Sequence, residues 1–100
     1  MSENSSIEVT VKFLGVFRKV YGKTKATIRI KKNENLGNMI KQLCSKRPDL
    51  EKVLVDPELG TPLPNAVILV NNQEIGLLNG LETSLRDKDK IVFIPVIHGG

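Results

Sequence analysis

The chain has 100 residues, of which 40% are apolar and 26% charged, as is ordinary for a globular domain. This length closes one modest core, which argues against a second domain and against catalytic machinery built around a deep pocket. The net charge of +4 is uneven, because residues 1–48 hold eleven Lys or Arg and three acids, whereas residues 49–100 hold four and eight. We therefore expect a basic flank and an acidic flank.

The amino-terminal segment and the single cysteine bear on the cellular compartment. Residues 1–6 are polar and do not resemble a signal peptide, so we expect a flexible arm. The longest apolar stretches, 66–70 and 91–97, are too short to span a bilayer. Cys44 has no partner for an internal disulfide, which favours a reducing cytoplasm.

The first half of the chain predicts a β-hairpin. Apolar and polar residues alternate from Ile7 to Phe13 and again over residues 26–31, as in half-buried strands. The stretch between them contains Gly15 and Gly22, and it is interpreted as a long loop.

A helix is predicted next. From Leu36 the apolar residues recur at helical spacing, with Asn35 as the N-cap and Pro48 as the stop. Residues 48–65, with three prolines at 57, 62 and 64, are interpreted as an irregular connection rather than a core element.

The remaining pattern completes a sheet. It predicts a strand over 67–70, a turn at 71–72, a short element near 74–75, a turn at 87–89 and a last strand over 91–94. The order is typical of an α+β fold, with four or five strands in a mixed sheet and one main helix packed on one face. The last two long strands are apolar at every position, which indicates either a patch for a partner or cover by the 48–65 connection.

Several residues suggest chemistry but have simpler structural explanations. The triplet 22–24, Gly-Lys-Thr, resembles the end of a phosphate-binding loop, yet Phe17 replaces its first glycine and a strand follows, so we predict a turn. Asp87 and Asp89 are interpreted as turn residues, because two carboxylates alone are weak evidence for a metal site. Cys44 lies on an apolar helical stripe and is interpreted as a core residue.

The glycine pair at positions 99 and 100 is the strongest functional signal. Two residues without Cβ atoms can enter a narrow channel and bring the Gly100 carboxylate to a nucleotide α-phosphate held by another enzyme. A carboxylate is a poor acyl donor, so it must first become a mixed anhydride such as an acyl-adenylate. The alternative is that the two glycines simply belong to a disordered end, which is common at chain termini. A hydrolase has no support, because His98 has no serine or cysteine at a catalytic spacing.

With these residues in view, the chain resembles the ubiquitin-like β-grasp superfamily of sulfur carriers and protein modifiers, which includes the ubiquitin-related modifier and the small subunit of molybdopterin synthase. The ending 97–100 is similar to the ubiquitin-related modifier, and residues 93–96 are similar to the molybdopterin synthase subunits. The resemblance lies in residues 9–13, 66–72, 85–91 and 99–100.

The resemblance implies a β-grasp domain over residues 7–96 and a flexible Gly-Gly tail over 97–100. It implies adenylation of Gly100 by an E1-like enzyme that supplies ATP and magnesium, so that this chain is itself no enzyme and binds no cofactor or metal. It also implies two groups of partner-facing residues: Ile97, His98 and Gly99, which thread into the partner, and Phe93, Pro95 and Val96, which contact its surface.

Two outcomes of this activation are expected. A sulfurtransferase or other persulfide donor converts the adenylate to a thiocarboxylate, for tRNA thiolation or for molybdopterin synthesis with the large subunit of molybdopterin synthase. Alternatively, a lysine of a target protein forms an isopeptide bond. The competing hypothesis is a non-covalent β-grasp interaction module. An RNA-binding module has less support, because few aromatic residues lie near the basic charge, and neither nucleic acid nor a membrane is an expected partner.

Overall fold

The computed structural model describes residues 6–97. In chain order the strands are β1 (Ser6–Phe13), β2 (Lys25–Lys31), β3 (Ala66–Val70), β4 (Gln73–Glu74) and β5 (Lys90–Pro95). The helices are α1 (Gly15–Tyr21), α2 (Leu36–Lys46) and α3 (Pro48–Leu54), and 3₁₀ turns follow β4 at Ile75–Leu77 and Gly80–Glu82. The expected arm and tail fall mostly on residues 1–5 and 98–100, outside the described residues, although Ser6 begins β1.

The strands form one mixed sheet in the order β2-β1-β5-β3-β4. The central strands β1 and β5 run parallel, with Phe13 opposite Phe93, and the other neighbouring strands are antiparallel. This confirms the predicted α+β fold with a mixed sheet, and the two-residue strand β4 makes the count five.

The helices pack on one face of the sheet, where alternate residues of β1, β3 and β5 point into a single core. The longest helix, α2, begins as predicted, because the Asn35 Oδ1 accepts a hydrogen bond of 2.8 Å from the Asn38 N–H. Five of its eleven residues are buried. The predicted main helix therefore supplies a large part of the core opposite the sheet.

Two further helices correct the predicted loops. Residues 15–21 form α1 rather than part of a long loop, and α1 buries Phe17. Pro48 ends α2 but also begins α3, because a proline at the first helical position loses no hydrogen bond. Leu50 and Leu54 of α3 are fully buried, so the interpretation of 48–65 as having no core element is wrong for its first turns.

The opposite face of the sheet carries no helix among the described residues. Its apolar part consists of two cross-strand pairs, Val67 with Ile94 and Leu69 with Val92. All four side chains are partly or largely exposed, with Val67 at 39%. The 48–65 connection therefore leaves this face of the sheet uncovered. We call this sheet face the open face. No helix within residues 6–97 has the length and apolar character needed to cross a membrane.

Candidate functional site

The chain leaves the folded body at the end of β5, directly before the predicted tail. Pro95 pairs with Ala66 of β3, and the Val96 N–H donates a hydrogen bond of 3.0 Å to the Asn65 carbonyl. The next residue, Ile97, is 90% exposed. The backbone is therefore tied to the body through Val96 and enters solvent one residue later. We call this point the tail exit.

A close backbone contact with α1 also shapes the tail exit. Gly15 has a φ of +56°, and a Cβ built on it would lie 2.6 Å from the Pro95 Cγ. A real side chain would have to displace the proline ring, so only glycine fits without rearrangement. Next to this contact, the Leu14 N–H donates a hydrogen bond of 3.2 Å to the Phe93 carbonyl. Together these contacts hold the start of α1 against the end of β5.

The structure places the predicted partner residues in different environments. Pro95 and Val96 are partly exposed and Ile97 is largely exposed, so their contact with a partner stays a prediction. Phe93 is fully buried, and the expectation that it contacts a partner directly is wrong. An apolar run gives no indication of which alternate residues face inward. His98, Gly99 and Gly100 lie outside the described residues.

Phe93 instead supports the exit from inside. Its ring lies 6.0 Å from that of Phe13 and 6.5 Å from that of Phe17, measured between centroids. Phe13 also stacks on Tyr21 at 4.2 Å. Because aromatic rings bury large apolar areas, this cluster joins β1, β5 and α1 directly beneath the exit.

Arg47 holds the other end of α1. Its guanidinium donates hydrogen bonds to the carbonyls of Val20 and Tyr21, at 3.1 and 3.0 Å, and lies 4.4 Å above the Tyr21 ring. It also donates two hydrogen bonds to the Asp49 carboxylate, which lower the pKa of Asp49 below its ordinary value. The sequence did not predict this cluster, because a lone arginine between two helices has no characteristic spacing.

The open face adds a second candidate surface. Beside its apolar pairs, Lys12 lies opposite both Lys25 and Val92, and Lys90 borders the same shallow cavity of about 280 Å³. Like charges directly opposite each other repel, so the pairing of Lys12 with Lys25 destabilises the sheet slightly. The open face therefore combines an apolar strip with a basic one, which suits a partner of complementary character.

The other residues with possible chemistry have structural roles. Residues 22–24 form a turn between α1 and β2, as predicted. The carboxylates of Asp87 and Asp89 accept hydrogen bonds from the backbone N–H groups of Glu8 and Arg86 respectively. Residues 6–97 contain no cluster of three or more potential metal ligands.

Cys44 is buried in the core, as predicted. Burial, followed by the charge of Glu51, raises the pKa of its thiol from 9.0 to about 11. The thiolate, which is the reactive form, is therefore scarce at neutral pH.

Comparisons with known proteins identify the family. Residues 11–100 match the model of the ThiS family. Small archaeal modifier protein 3 of Haloferax volcanii is 27% identical over 94 residues, which cover 94% of this chain and all of that protein. Ubiquitin-related modifier 1 of Schizosaccharomyces pombe is 42% identical over 41 residues, or 41% of this chain and 42% of that protein.

A solved structure extends the likeness to three dimensions. The solution structure of small archaeal modifier protein 1 from Methanosarcina acetivorans superposes with a TM-score of 0.81 at 28% identity, covering 95% of this chain and 98% of that one. The chain belongs to the ThiS family, and its fold is the ubiquitin-like β-grasp of small sulfur carriers and protein modifiers.

Proposed function

We propose that this member of the ThiS family acts through the carboxylate of Gly100, which an E1-like enzyme adenylates in the cytoplasm. The observation that supports the proposal is the tail exit. Val96 is tied to the body and Ile97 is 90% exposed, so the chain is released into solvent just before the glycine pair. A rigid body that presents a short, unhindered end suits a protein co-substrate.

The first chemical step joins this chain to a nucleotide. A Gly100 carboxylate oxygen attacks the α-phosphorus of ATP, whose bond to the pyrophosphate oxygen breaks, and the products are an acyl-adenylate and pyrophosphate. The partner supplies ATP and magnesium. Residues 6–97 contain no group of three or more potential metal ligands, and Cys44 is buried, so we infer that the partner also provides catalysis.

Two fates of the acyl-adenylate follow from its chemistry. The terminal sulfur of a donor persulfide attacks the Gly100 carbonyl and displaces AMP, which gives an acyl disulfide. A second donor thiol then cleaves the S–S bond, so that a thiocarboxylate remains on Gly100 and the donor leaves as a disulfide. Alternatively, a lysine amine displaces AMP and loses a proton, and an isopeptide bond forms. The sulfur then passes to tRNA through a tRNA-thiolating enzyme, or to a pterin precursor with the large subunit of molybdopterin synthase.

Pyrophosphate exchange tests the first step. A purified adenylating enzyme from the organism that encodes the chain is incubated with ATP, magnesium, labelled pyrophosphate and the full chain. We expect label in ATP with the intact protein and none after deletion of Gly100. Urea unfolding of the deletion variant should match that of the intact protein, because Gly100 lies beyond the last strand. Exchange that is unaffected by the deletion would refute the proposal.

Intact mass then separates the two fates. Protein isolated from native cells should be heavier by the difference between sulfur and oxygen if it carries a thiocarboxylate. Remnant Gly-Gly on lysines of other proteins indicates conjugation instead.

The open face favours one alternative, a non-covalent interaction module. Val67, in one of its apolar pairs, is 39% exposed, and none of the described residues covers it. In that case deletion of Gly100 has no effect on function, whereas a charged residue at Val67 abolishes binding to the partner.

A further inference from the structure

Strand β2 lies at an outer edge of the sheet, and one side of its backbone faces away from β1. The Phe13 N–H donates a hydrogen bond of 2.8 Å to the Thr24 carbonyl. In an antiparallel pair, residues bonded in this way alternate with residues whose N–H and C=O groups point away from the neighbouring strand. The residues of β2 that therefore direct their backbone groups outward are Lys25, Thr27, Arg29 and Lys31. Such a row of groups can pair with another strand.

The chain itself occupies only one end of this outer edge. The Gln42 Nε2 of α2 donates a hydrogen bond of 2.8 Å to the Arg29 carbonyl, which confirms that this carbonyl faces outward. The Lys31 carbonyl accepts a hydrogen bond of 3.1 Å from the segment that follows β2. No group within residues 6–97 occupies the outward N–H or C=O of Thr27 in this way. The free part of the edge therefore covers residues 25–29.

A groove lies beside the free edge, between β2 and α2. It encloses about 260 Å³, and its apolar lining includes Ile28 and Leu43. Ile28 packs against the core but stays partly exposed, so α2 does not cover β2 completely. A strand added to β2 would place every second side chain over this groove. We call the free edge and this groove together the edge groove.

The charged side chains of β2 and of the groove are all basic. They are Lys25, Arg29 and Lys31 of β2, with Lys46 and Arg47 beside α2. The two arginines pair with acids at 2.8 and 2.9 Å, whereas within residues 6–97 the three lysines form no ion pair. A strand that carries acidic side chains would therefore meet complementary charge at the edge groove.

The same charges disfavour a second copy of this chain as the occupant. Two copies of β2 paired with each other would bring Lys25 and Lys31 of one close to the basic side chains of the other. Like charges opposite each other are destabilising, and lysines on an edge strand commonly prevent such pairing. They do not oppose an acidic strand, so the charge of β2 discriminates between the two occupants.

We propose that the edge groove binds an extended acidic segment of a partner protein, which adds to the sheet as a sixth strand. Acidic residues of the segment lie on the side of the open face, and they alternate with apolar residues over the groove. The added strand is three strand spacings from β5, or about 14 Å, so it leaves the tail exit uncovered. The inference goes beyond the proposed function, because no step of it involves Gly100.

Peptide titration followed by NMR tests this inference. The probe is a blocked peptide of seven alternating glutamate and valine residues, titrated into the nitrogen-15-labelled full chain. A matched control peptide has proline in place of each valine, which keeps the charge but disrupts strand pairing. We expect saturable shifts of the amide signals of residues 25–31 and of the groove with the first peptide, and none with the second.

Substitutions in the chain locate the contact. Lys25→Glu should raise the Kd for the peptide at least about fivefold, because an attraction becomes a repulsion. Lys90→Glu is the matched control, since it makes the same change on β5, where a charge this far from the added strand is largely screened at physiological salt. Thr27→Pro removes an outward N–H that β1 does not use and should abolish the shifts. Urea unfolding establishes that each variant is folded, and the proline peptide replaces Thr27→Pro if that variant is not.

Several results would overturn the proposal. They are the absence of saturable shifts, equal binding of the proline peptide, and equal effects of Lys25→Glu and Lys90→Glu. Shifts of the same amides that grow with protein concentration, without any peptide, would identify a second copy as the occupant instead. An oligouridylate that shifts these amides at lower concentration than the peptide would identify RNA instead.

Discussion

Replacing Gly15 with alanine tests how the tail exit is held. Gly15 has a φ of +56°, a conformation that costs a residue with a Cβ about 1–2 kcal/mol. The new Cβ would also lie 2.6 Å from the Pro95 Cγ, so the proline ring must move. Overpacking of this kind costs about 1–3 kcal/mol. We expect Gly15→Ala to lower the free energy of unfolding by about 2–5 kcal/mol, a large part of the stability of a small domain.

Urea unfolding measures this loss, and Gly22→Ala is its control. Gly22 also has a positive φ, of +90°, but a Cβ added there would have nothing within 4 Å. Only the backbone cost therefore applies, and the urea midpoint should fall by less than in Gly15→Ala. The difference between the two variants isolates the contact with Pro95.

A double-mutant cycle completes the test. Pro95→Ala removes the two ring atoms nearest to the new methyl group and leaves the Cβ, at 3.9 Å. Gly15→Ala should therefore cost about 1–3 kcal/mol less in this background than in the intact protein. Equal costs in both backgrounds, or equal costs for Gly15→Ala and Gly22→Ala, would refute the close packing of α1 on the end of β5.

Three further predictions concern charges and the thiol. With its pKa at about 11, Cys44 should have roughly 100-fold less thiolate at pH 8 than an ordinary cysteine, so a disulfide reagent should label it rapidly only in urea. Arg47 lowers the pKa of Asp49, so the ionised carboxylate stabilises the fold above about pH 4, and this stabilisation is lost as the pH falls. Asp49→Asn should therefore make the free energy of unfolding fall less steeply on acidification. Lys25→Glu, opposite Lys12, should raise the free energy of unfolding by about 0.5 kcal/mol in urea, an effect that high salt reduces.

Opposite results would contradict these expectations separately. Equal labelling rates in native and unfolded protein would mean that Cys44 is accessible. An unchanged dependence on acid would mean that the Arg47 guanidinium does not lower the pKa of Asp49. A loss of stability in Lys25→Glu would mean that the two lysines are not neighbours on the open face.

Periodic patterns predicted the elements that pack through one regular face. Alternation predicted each boundary of β1 and β2 to within one residue, because each strand has one face on the core and one in water. Helical spacing and the Asn35 cap located α2. These elements repeat a local rule over enough residues for the period to be visible.

The two missed helices are too short for a period. Each has seven residues, and α1 buries only Phe17 and has no side-chain cap. A usable signal did exist for α3, since a proline at its first position is followed by acids in the first turn and Lys52 in the last. Pro48 thus marks the end of one helix and the beginning of the next, and only the first of these roles was predicted.

The sequence indicates a chemistry for the candidate site, which stays a prediction, but it does not indicate the surroundings of the tail exit. The glycine pair is visible in the sequence, but the features that position it depend on residues far apart along the chain. Gly15 contacts Pro95 and Val96 is bonded to Asn65, and no local pattern indicates either pairing. The open face likewise required the sheet order, because the pairs of Val67 with Ile94 and of Lys12 with Val92 join separate strands.

The parallel pairing of β1 with β5 links the tail to the completion of folding. Val11 and Ile91, which lie opposite each other, are 80 positions apart, so the centre of the sheet closes the longest loop in the domain. During synthesis, β5 must therefore leave the ribosome before it can pair with β1. β5 also pairs with β3, and Val96 is bonded to Asn65 just before β3, so the tail exit is complete only when β5 has joined both neighbours. Under the proposed function, an adenylating enzyme would therefore meet an anchored tail only on molecules whose sheet has closed.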